Sequence, residues 1–213
     1  MRQVRINNLG KIHWTETDKL MRDLQKSRIA GEIEDTILIC EHPEVVTIGP
    51  RARSDGLFPP ESYESVATDR GGGMTWHGEG QIVAYPVILW DLEGEKNVKS
   101  VISKLEQWVV ESLGQLGIEG YRDDRMQGVW VDDHKICSIG LSFLRWTSRH
   151  GLTINYDTPE GRVEMVAGCG LDANTTTCLE KLGYRVHFDE IVQSLISNCE
   201  HVLNRNPVII TED

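Results

Sequence analysis

Helical and strand-like segments follow one another irregularly along this sequence, and that irregularity constrains the fold more than any other feature. Apolar residues at helical spacing predict three amphipathic helices, over residues 15–30 with Thr15 as the N-cap, 98–116 and 189–205. Between them, the runs that predict strands occur in clusters: TILICE, VVTIG, residues 82–89, GVWV, KICSIGLSF and HGLTINY. A doubly wound sheet requires strands and helices to alternate regularly. The pattern therefore predicts an α+β fold, with a mixed β-sheet flanked by helices.

Length and punctuation favour one compact domain. The 213 residues, 39% of them hydrophobic, suffice for one core, so a single domain over residues 1–213 is predicted. The sequence contains no repeat, low-complexity tract or Pro/Ser-rich linker. Proline and glycine are dense only over residues 49–62, which predicts a long surface loop of a kind that is often functional.

The net charge argues against a nucleic-acid-binding function. The chain has 22 Lys and Arg residues against 33 Asp and Glu residues, a formal charge of -11 and the wrong sign for a nucleic-acid binder. An acidic protein partner would also be repelled overall, so it would need a local basic surface. For each single candidate, an ordinary solvated charge is the favoured interpretation: Arg51, Arg53, Arg122, Arg125, Arg145 and Arg149.

Cysteine usage and the lack of apolar spans predict a cytoplasmic protein that does not enter a membrane. No stretch approaches the roughly 20 apolar residues of a membrane span, and the N-terminus shows no apolar signal region. The cysteines form no CxxC pair, which argues against a disulfide framework and favours a reducing compartment: Cys40, Cys137, Cys169, Cys178 and Cys199.

The densest unusual stretch is glycine-rich and runs over residues 70–81, RGGGMTWHGEGQ. Neither a Rossmann fingerprint nor a Walker A loop fits its glycine order. Its backbone N–H groups could hold a carbonyl or oxyanion, with Arg70 and His77 beside them. A glycine-rich hairpin around a buried histidine is the alternative, and both interpretations remain open.

Lys135 begins the strand-like run KICSIGL. A lysine at a strand edge is usually solvated, and from the residues alone that interpretation is favoured. The functional alternative places Lys135 in a pocket, where burial lowers its pKa and lets it exchange protons with a thiol. His134 and Cys137 resemble half of a metal site, but no second close pair follows, so no metal is predicted.

Cys169 ranks first among the cysteines as a nucleophile. It lies between Gly168 and Gly170, in a turn predicted to follow a strand at residues 163–166, and the flanking glycines leave room for a substrate. Cys40 and Cys199 fit a hydrophobic core, and Cys137 ranks second. A thiol needs a base or a cation to become a thiolate at neutral pH, and Lys135 could supply both.

Four motifs, in this order, resemble the octanoyltransferase family: EHPEVVTIG, RGGGMTWHGEGQIVAYPVI, GVWVDDHKICSIGL, and HGLTINYD followed by GCGL. They span most of the chain. The resemblance implies the α+β fold shared by lipoate and biotin protein ligases, with Cys169 as the catalytic cysteine and Lys135 as its activating lysine. It also implies contacts with the acyl group and the oxyanion from Arg70, Gly71, Gly72, Gly73, Met74, Thr75, Trp76, His77, Ser138, Ile139, Gly140, Gly151, Leu152 and Thr153.

The resemblance implies an acyl transfer that uses no ATP, cofactor or metal. The donor would be octanoyl acyl carrier protein, and the acceptor a lysine in lipoyl domains of 2-oxoacid dehydrogenase subunits or in the glycine cleavage H protein. Two alternatives are an ATP-dependent lipoate protein ligase, which would not need Cys169, and a non-catalytic module that binds acyl or lipoyl proteins. Two positions where the family usually has proline differ here, because Glu79 and Gly168 occupy them, and Glu79 is expected to add a negative charge near the mouth of the pocket.

Overall fold

A large mixed β-sheet organises the chain. The structure is a computed structural model that describes residues 1–56, 59, 61–166 and 175–210. The strands within these ranges are β1 Arg2–Lys11, β2 Asp35–Glu41, β3 Val45–Ile48, β4 Ser65–Ala67, β5 Met74–His77, β6 Gln81–Val87, β7 Val129–Val131, β8 His134–Leu144, β9 Thr147–Asn155 and β10 Arg205–Ile210.

Two sheets result from the pairing of these strands. The large sheet has the order β10-β1-β2-β6-β9-β8-β7, in which β1 runs parallel to both of its neighbours and the other pairs are antiparallel. The small sheet has the order β4-β3-β5, with β3 and β4 parallel and β3 and β5 antiparallel. The prediction of an α+β fold with a mixed sheet is therefore confirmed.

Helices cover both faces of the large sheet. In the described part of the chain they are α1 Trp14–Ala30, α2 Pro50–Ser54, α3 Val98–Gln115, α4 Arg162–Met165 and α5 Phe188–Leu203, with a 3-10 turn at Glu180–Leu182. The start of α3 is set by Asn97, whose side chain accepts hydrogen bonds from the amides of Lys99 and Ser100. Because Gly31 adopts a left-handed conformation (φ 76°), α1 ends there.

Side chains that alternate along the central strands build a core on each face of the large sheet. On β2, Ile37 and Ile39 pack into the larger core beneath α3 and α5, whereas Leu38 and Cys40 pack with Met21 of α1. A strand whose side chains are apolar on both faces must be covered on both faces. This two-sided burial explains the continuous apolar run TILIC.

Several sequence predictions of secondary structure were wrong in detail. Residues 163–165 belong to α4 and Val166 is its C-cap, so no strand forms there, and His13 rather than Thr15 occupies the N-cap of α1. The predicted loop at residues 49–62 contains α2, whose Ala52 is buried. The last helix ends at Leu203, after which Asn204 adopts a left-handed conformation and the chain continues as β10. Both β1 and β10 were missed because each is defined by pairing with strands far away in the sequence.

Candidate active site

A cavity of about 510 Å³ lies between the two sheets and the start of α1. Its wall includes Trp14 of α1, Thr47 of β3, and Val83 and Tyr85 of β6, which face away from the larger core. The volume is within the range of roughly 300–1,000 Å³ that is typical of sites for small molecules. The wall combines apolar and aromatic side chains with polar groups, a composition that suits an amphipathic ligand.

The glycine-rich segment packs tightly against two other parts of the chain. The Gly71 amide donates to the Leu141 carbonyl over 2.9 Å, and the Gly49 amide donates to the Gly73 carbonyl over 2.9 Å. A Cβ at Gly140 would lie 2.7 Å from the Gly71 carbonyl oxygen, closer than real Cβ atoms come. Glycine is required there because backbone meets backbone at the cavity wall.

Arg70 is buried behind this segment. Its Nε and Nη2 atoms donate to Thr47 Oγ1 over 3.1 and 2.8 Å, and its Nη1 donates to the Gly71 carbonyl over 3.1 Å. A guanidinium donates in a fixed planar fork, so these contacts tie the glycine-rich segment to β3. Arg70 also brings a permanent positive charge to the cavity wall.

His77 is a buried, neutral member of the cavity wall. Burial, reinforced by the nearby His42 and Arg70, holds the pKa of His77 well below its ordinary value. His77 Nδ1 lies 2.8 Å from Gln81 Oε1, an acceptor, so Nδ1 carries the proton and Nε2 faces Thr47 Oγ1 at 3.1 Å. The alternative prediction of a glycine-rich hairpin is wrong, because β5 and β6 belong to different sheets, but the burial of the histidine is confirmed. His77 and most of the glycine-rich segment also line the cavity.

Lys135 lies in the cavity wall and not in solvent. Its side chain is 6% exposed, and burial lowers its pKa to about 8, against the opposing effects of Cys137 and Glu106. The backbone of Lys135 is held on both sides, since its amide donates to the Thr175 carbonyl and its carbonyl accepts from the Thr177 amide. The solvated interpretation favoured by the residues alone was wrong.

Cys169 and its neighbours Gly168 and Gly170 lie outside the described residues. Among the described cysteines, Cys40 and Cys199 are buried in the cores, as predicted. Cys137, which ranked second, is also in the larger core, and burial raises its pKa to about 12. A thiol with so high a pKa is a poor nucleophile at neutral pH.

The structure brings the other predicted site residues to one cavity, with one exception. Trp76 alternates to the opposite side of β5, where its Nε1 donates to Glu44 and its ring packs in a separate cluster with Tyr63 and Val163. Alternation along a strand places neighbours on opposite faces. The residues that line the cavity are Arg70, Gly71, Gly72, Gly73, Met74, Thr75, His77, Lys135, Ser138, Ile139, Gly140, Gly151, Leu152 and Thr153.

Sequence reasoning missed His150, a buried residue of the cavity wall. His150 has a positive φ of 60°, and its Nε2 lies 2.8 Å from Asp69 Oδ1. Burial lowers the pKa of His150 below its ordinary value. Its position directly before Gly151, in the motif that also supplies Leu152 and Thr153, was the available signal. Further cavity residues that were not assigned to the site are Trp14, Thr47, Arg51, Val83, Tyr85, Asp124, Arg125, Met126 and Gln127.

Two predictions about charges need correction. Arg149 is buried and pairs with Asp69, so it belongs to no exposed basic surface. Glu79 lies at the β5–β6 turn, pairs with Lys11 and does not line the cavity. Arg51 and Arg125, in contrast, are both exposed, and both line the cavity.

The described residues contain neither a candidate metal centre nor a helix that could span a membrane. No group of three or more His, Cys, Asp or Glu side chains in these ranges is arranged to hold a metal ion. No helix in the same ranges is long and apolar enough to cross a membrane.

Comparison with known proteins identifies the class to which this fold and cavity belong. Residues 15–200 match the family described as the lipoyl protein ligase A/B catalytic domain, and the chain belongs to that family. An octanoyltransferase from Solibacter usitatus is 33% identical over 198 residues, which cover 90% of this chain and 89% of the relative. Another, from Caldicellulosiruptor saccharolyticus, is 35% identical over 193 residues, 86% of this chain and 82% of the relative. The predicted membership of the octanoyltransferases is thus confirmed, and the chain is an acyltransferase enzyme.

Solved structures confirm the fold. A putative lipoate protein ligase from Thermoplasma acidophilum with bound lipoic acid superposes with a TM-score of 0.71 at 16% identity, covering 99% of this chain and 90% of that one. A biotin protein ligase from Aquifex aeolicus superposes with a TM-score of 0.53 at 11% identity, covering 96% of this chain and 69% of that one. At these identities the likeness establishes the shared lipoate and biotin protein ligase fold alone.

Proposed function

We propose that this chain, as a single catalytic domain, carries an octanoyl group on Cys169 and transfers it from octanoyl acyl carrier protein to a lysine of a lipoyl domain. The observation that carries the proposal is a buried lysine, Lys135, whose pKa is lowered to about 8 in the wall of a cavity for a small molecule. Acceptors would be lipoyl domains of 2-oxoacid dehydrogenase subunits and the glycine cleavage H protein.

Chain connectivity supports a meeting of Cys169 with Lys135. Val166, Lys135 and Thr176 line one small cavity beside the main one. Cys169 is the third residue after Val166, so the two α-carbons are at most about 11 Å apart in any conformation of the chain. On the other side, Thr176 forms a parallel bridge with Lys135. The described residues on either side of positions 167–174 thus lie near the lysine.

The first half of the reaction forms a thioester on the enzyme. Neutral Lys135 takes the proton of the Cys169 thiol, and the thiolate attacks the carbonyl carbon of the octanoyl thioester. The tetrahedral intermediate expels the carrier thiolate, which takes the proton back from the Lys135 ammonium. With a pKa of about 8, about a tenth of Lys135 is neutral at pH 7, so both protonation states are accessible.

The second half forms the amide. The acceptor lysine amine attacks the carbonyl carbon of octanoyl-Cys169, and its proton passes to Lys135 as the Cys169 thiolate departs. The thiolate then takes a proton from the Lys135 ammonium, which returns the enzyme to its starting state. Because the thioester already carries the driving force for amide formation, neither half requires ATP.

The cavity wall supplies both positive charge and apolar surface for this chemistry. Arg70 and the Lys135 ammonium favour the thiolate and the oxyanion, and amides near Gly72 and Gly140 are candidates for direct donation to the oxyanion. The Gly71 amide is already donated to Leu141 and is not a candidate. The alkyl chain would lie against Trp14, Val83 and Tyr85, where burial of each CH2 contributes about 0.8 kcal/mol.

One experiment tests the transferase mechanism. The protein is incubated with octanoyl acyl carrier protein in the absence of ATP, and its intact mass is recorded before and after hydroxylamine. We expect an octanoyl adduct that hydroxylamine removes, that is absent from Cys169→Ala and that persists in Cys137→Ala, whose buried thiol serves as the matched control. An adduct in Cys169→Ala, or none in the wild type, would refute the mechanism. In the latter case, formation of an acyl adenylate from ATP and lipoate would identify a ligase instead.

A further inference from the structure

Glu106 is a buried carboxylate that the mechanism above does not use. It lies on the apolar face of α3 and is 5% exposed, between residues of the larger core. A buried carboxylate is costly unless it is hydrogen-bonded and paired with a cation. Its partners therefore indicate why it is there.

The two oxygens of Glu106 have different partners. Oε1 accepts a hydrogen bond from the Gly128 amide over 2.9 Å, and Oε2 lies 3.2 Å from Nε of Arg122. The side chain of Arg122 is about half exposed, so the ion pair is buried at one end and solvated at the other. The hydrogen bond from the Gly128 amide is thus the fully buried contact of Glu106, whereas the contact with Arg122 is partly solvated.

Gly128 is the point at which Glu106 meets Lys135. Gly128 is buried with a φ of 132°, and a Cβ there would lie 2.7 Å from Lys135 Cε and 2.1 Å from the Cys137 carbonyl oxygen. The aliphatic part of the Lys135 side chain therefore packs against the backbone of Gly128. The β7–β8 register shifts between Val129 and Trp130, the next two residues, so Ile136 is an extra residue that forms a bulge in β8 directly after Lys135.

The charged groups around Lys135 come from several elements. Glu106 of α3 and Cys137 of β8 both favour the lysine ammonium, while burial disfavours it. The same cavity is lined by His77 of β5, His150 of β9, Arg70, and Asp124 and Arg125 of the segment before Gly128. In the described part of the chain, Glu106 is the carboxylate that combines burial with contact to the glycine beneath the lysine.

We propose that Glu106 is a positioning residue for Lys135: through the Gly128 amide it fixes the surface on which the lysine side chain lies, and its buried charge counters the desolvation of the ammonium. The inference rests on the proposed role of Lys135 as the proton partner of Cys169. Without the carboxylate, the ammonium would be desolvated with less compensation, and Lys135 would lose its proton at a lower pH. The lysine would then be a weaker base for the thiol.

Glu106→Gln tests the charge while keeping an oxygen for the Gly128 amide. The titration of Lys135 is followed by NMR of protein labelled with ¹³C at lysine Cε, and its signal is identified by its loss in Lys135→Arg. We expect the midpoint to fall by about one pH unit in Glu106→Gln, since one nearby opposite charge shifts a pKa by about that much. The pH at which the rate of Cys169 acylation reaches half its maximum should fall with it.

Two further variants make the outcome decisive. Glu111→Gln removes a charge from the same helix, at a residue that binds Gln107 instead of Gly128, and should leave the Lys135 midpoint unchanged. Arg122→Gln removes the cation that competes for Glu106 and should raise the midpoint, and it remains informative if Glu106→Gln does not fold. Equal midpoints in wild type, Glu106→Gln and Arg122→Gln would overturn the proposal. Because the titration uses no substrate, that result would be distinct from failure of Cys169 to carry an acyl group.

Discussion

At the scale of single residues, the chemistry of the cavity depends on a lysine whose environment opposes its charge. Burial lowers the pKa of Lys135 to about 8, which brings the neutral form within reach of physiological pH. An exposed lysine would be almost wholly protonated there and could not accept a proton from a thiol. The nearby Arg70 is permanently charged, so the two cations differ in what they can do: one stabilises anions, and the other can also move a proton.

Replacing Lys135 should test its role as the base. In Lys135→Met the base and the cation are both lost, and in Lys135→Arg only the base is lost, because a guanidinium keeps its proton. We expect the rate of Cys169 acylation to fall by about 10²- to 10⁴-fold in either variant. The wild-type rate should rise with pH through about 8, as Lys135 becomes neutral. In Lys135→Arg the rate should instead follow the ionisation of the Cys169 thiol itself. A wild-type rate in Lys135→Arg would contradict the role of Lys135 as base.

At the scale of elements, the cavity wall depends on strands that approach more closely than side chains allow. Gly151 of β9 faces β6, and a Cβ at this position would lie 1.9 Å from the Ala84 carbonyl oxygen and 2.6 Å from Pro86 Cδ. The opposing residue on β8 is Gly140, which meets the glycine-rich segment in the same way. This pair of glycines thus lets β9 approach β6 closely and lets β8 approach the glycine-rich segment.

Gly151→Ala should disrupt this contact. The added methyl group would force β6 and β9 apart, and the resulting overpacking should cost about 1–3 kcal/mol in the free energy of unfolding. Gly114→Ala is the matched control, since no atom lies within 4 Å of its Cβ position in α3 and alanine favours a helix by about 0.5–1 kcal/mol. Urea denaturation should therefore show opposite signs for the two substitutions. Equal urea midpoints for Gly151→Ala and Gly114→Ala would mean that β9 adjusts to the added methyl group without a loss of stability.

The last strand is held to the sheet by a buried ion cluster. Arg205 at the start of β10 is fully buried, and its guanidinium pairs with Asp35 over 2.7 Å and with Glu95 over 2.9 Å. These three residues join β10, β2 and the segment that precedes α3. Such a cluster stabilises an element only while all of its members are present.

Arg205→Met should leave two buried carboxylates with fewer partners. We expect the free energy of unfolding to fall by about 3–5 kcal/mol, as measured by urea denaturation. Arg2→Met is the control, because Arg2 lies beside Arg205 in the β1–β10 register but pairs with Asp91 in a partly exposed site, worth about 0–1 kcal/mol. A similar loss in both variants would show that burial of the Arg205 cluster contributes nothing of its own.

At the scale of the whole molecule, a formal charge of -11 sets how an acidic carrier can approach. The global field repels such a partner, so attraction must be local and must fall off within a Debye length, about 8 Å at physiological salt. Arg51 meets that requirement, because it is exposed and also lines the cavity. It thus marks the side from which the proposed carrier would dock.

Arg51→Gln should weaken use of the carrier without harming the chemistry. We expect the KM for octanoyl acyl carrier protein to rise about two- to five-fold, equivalent to about 0.5–1 kcal/mol, with little change in kcat. A small octanoyl thioester that lacks the protein carrier should be used equally well by the variant and the wild type. Arg145→Gln, at an exposed arginine outside the cavity wall, is the control. A change of KM for the small thioester would place Arg51 in acyl binding instead.

The sequence by itself determined which residues are available and how local segments fold. Strand clusters between amphipathic helices identified the α+β class, and the motif order brought the glycine-rich segment, Lys135 and Gly151 into one hypothesis. Such features are local, because periodicity and glycine content act over a few residues. Burial, in contrast, depends on residues far apart in the chain.

Only the tertiary structure decided what those residues do. It buried Lys135 against Gly128, placed Trp76 on the far side of β5, and added His150 to the cavity. It also paired β10 with β1, although about 200 residues separate them in the sequence. The physical reason is that a pKa, a cavity and a strand pairing are each properties of neighbours in space, which no short segment of sequence contains.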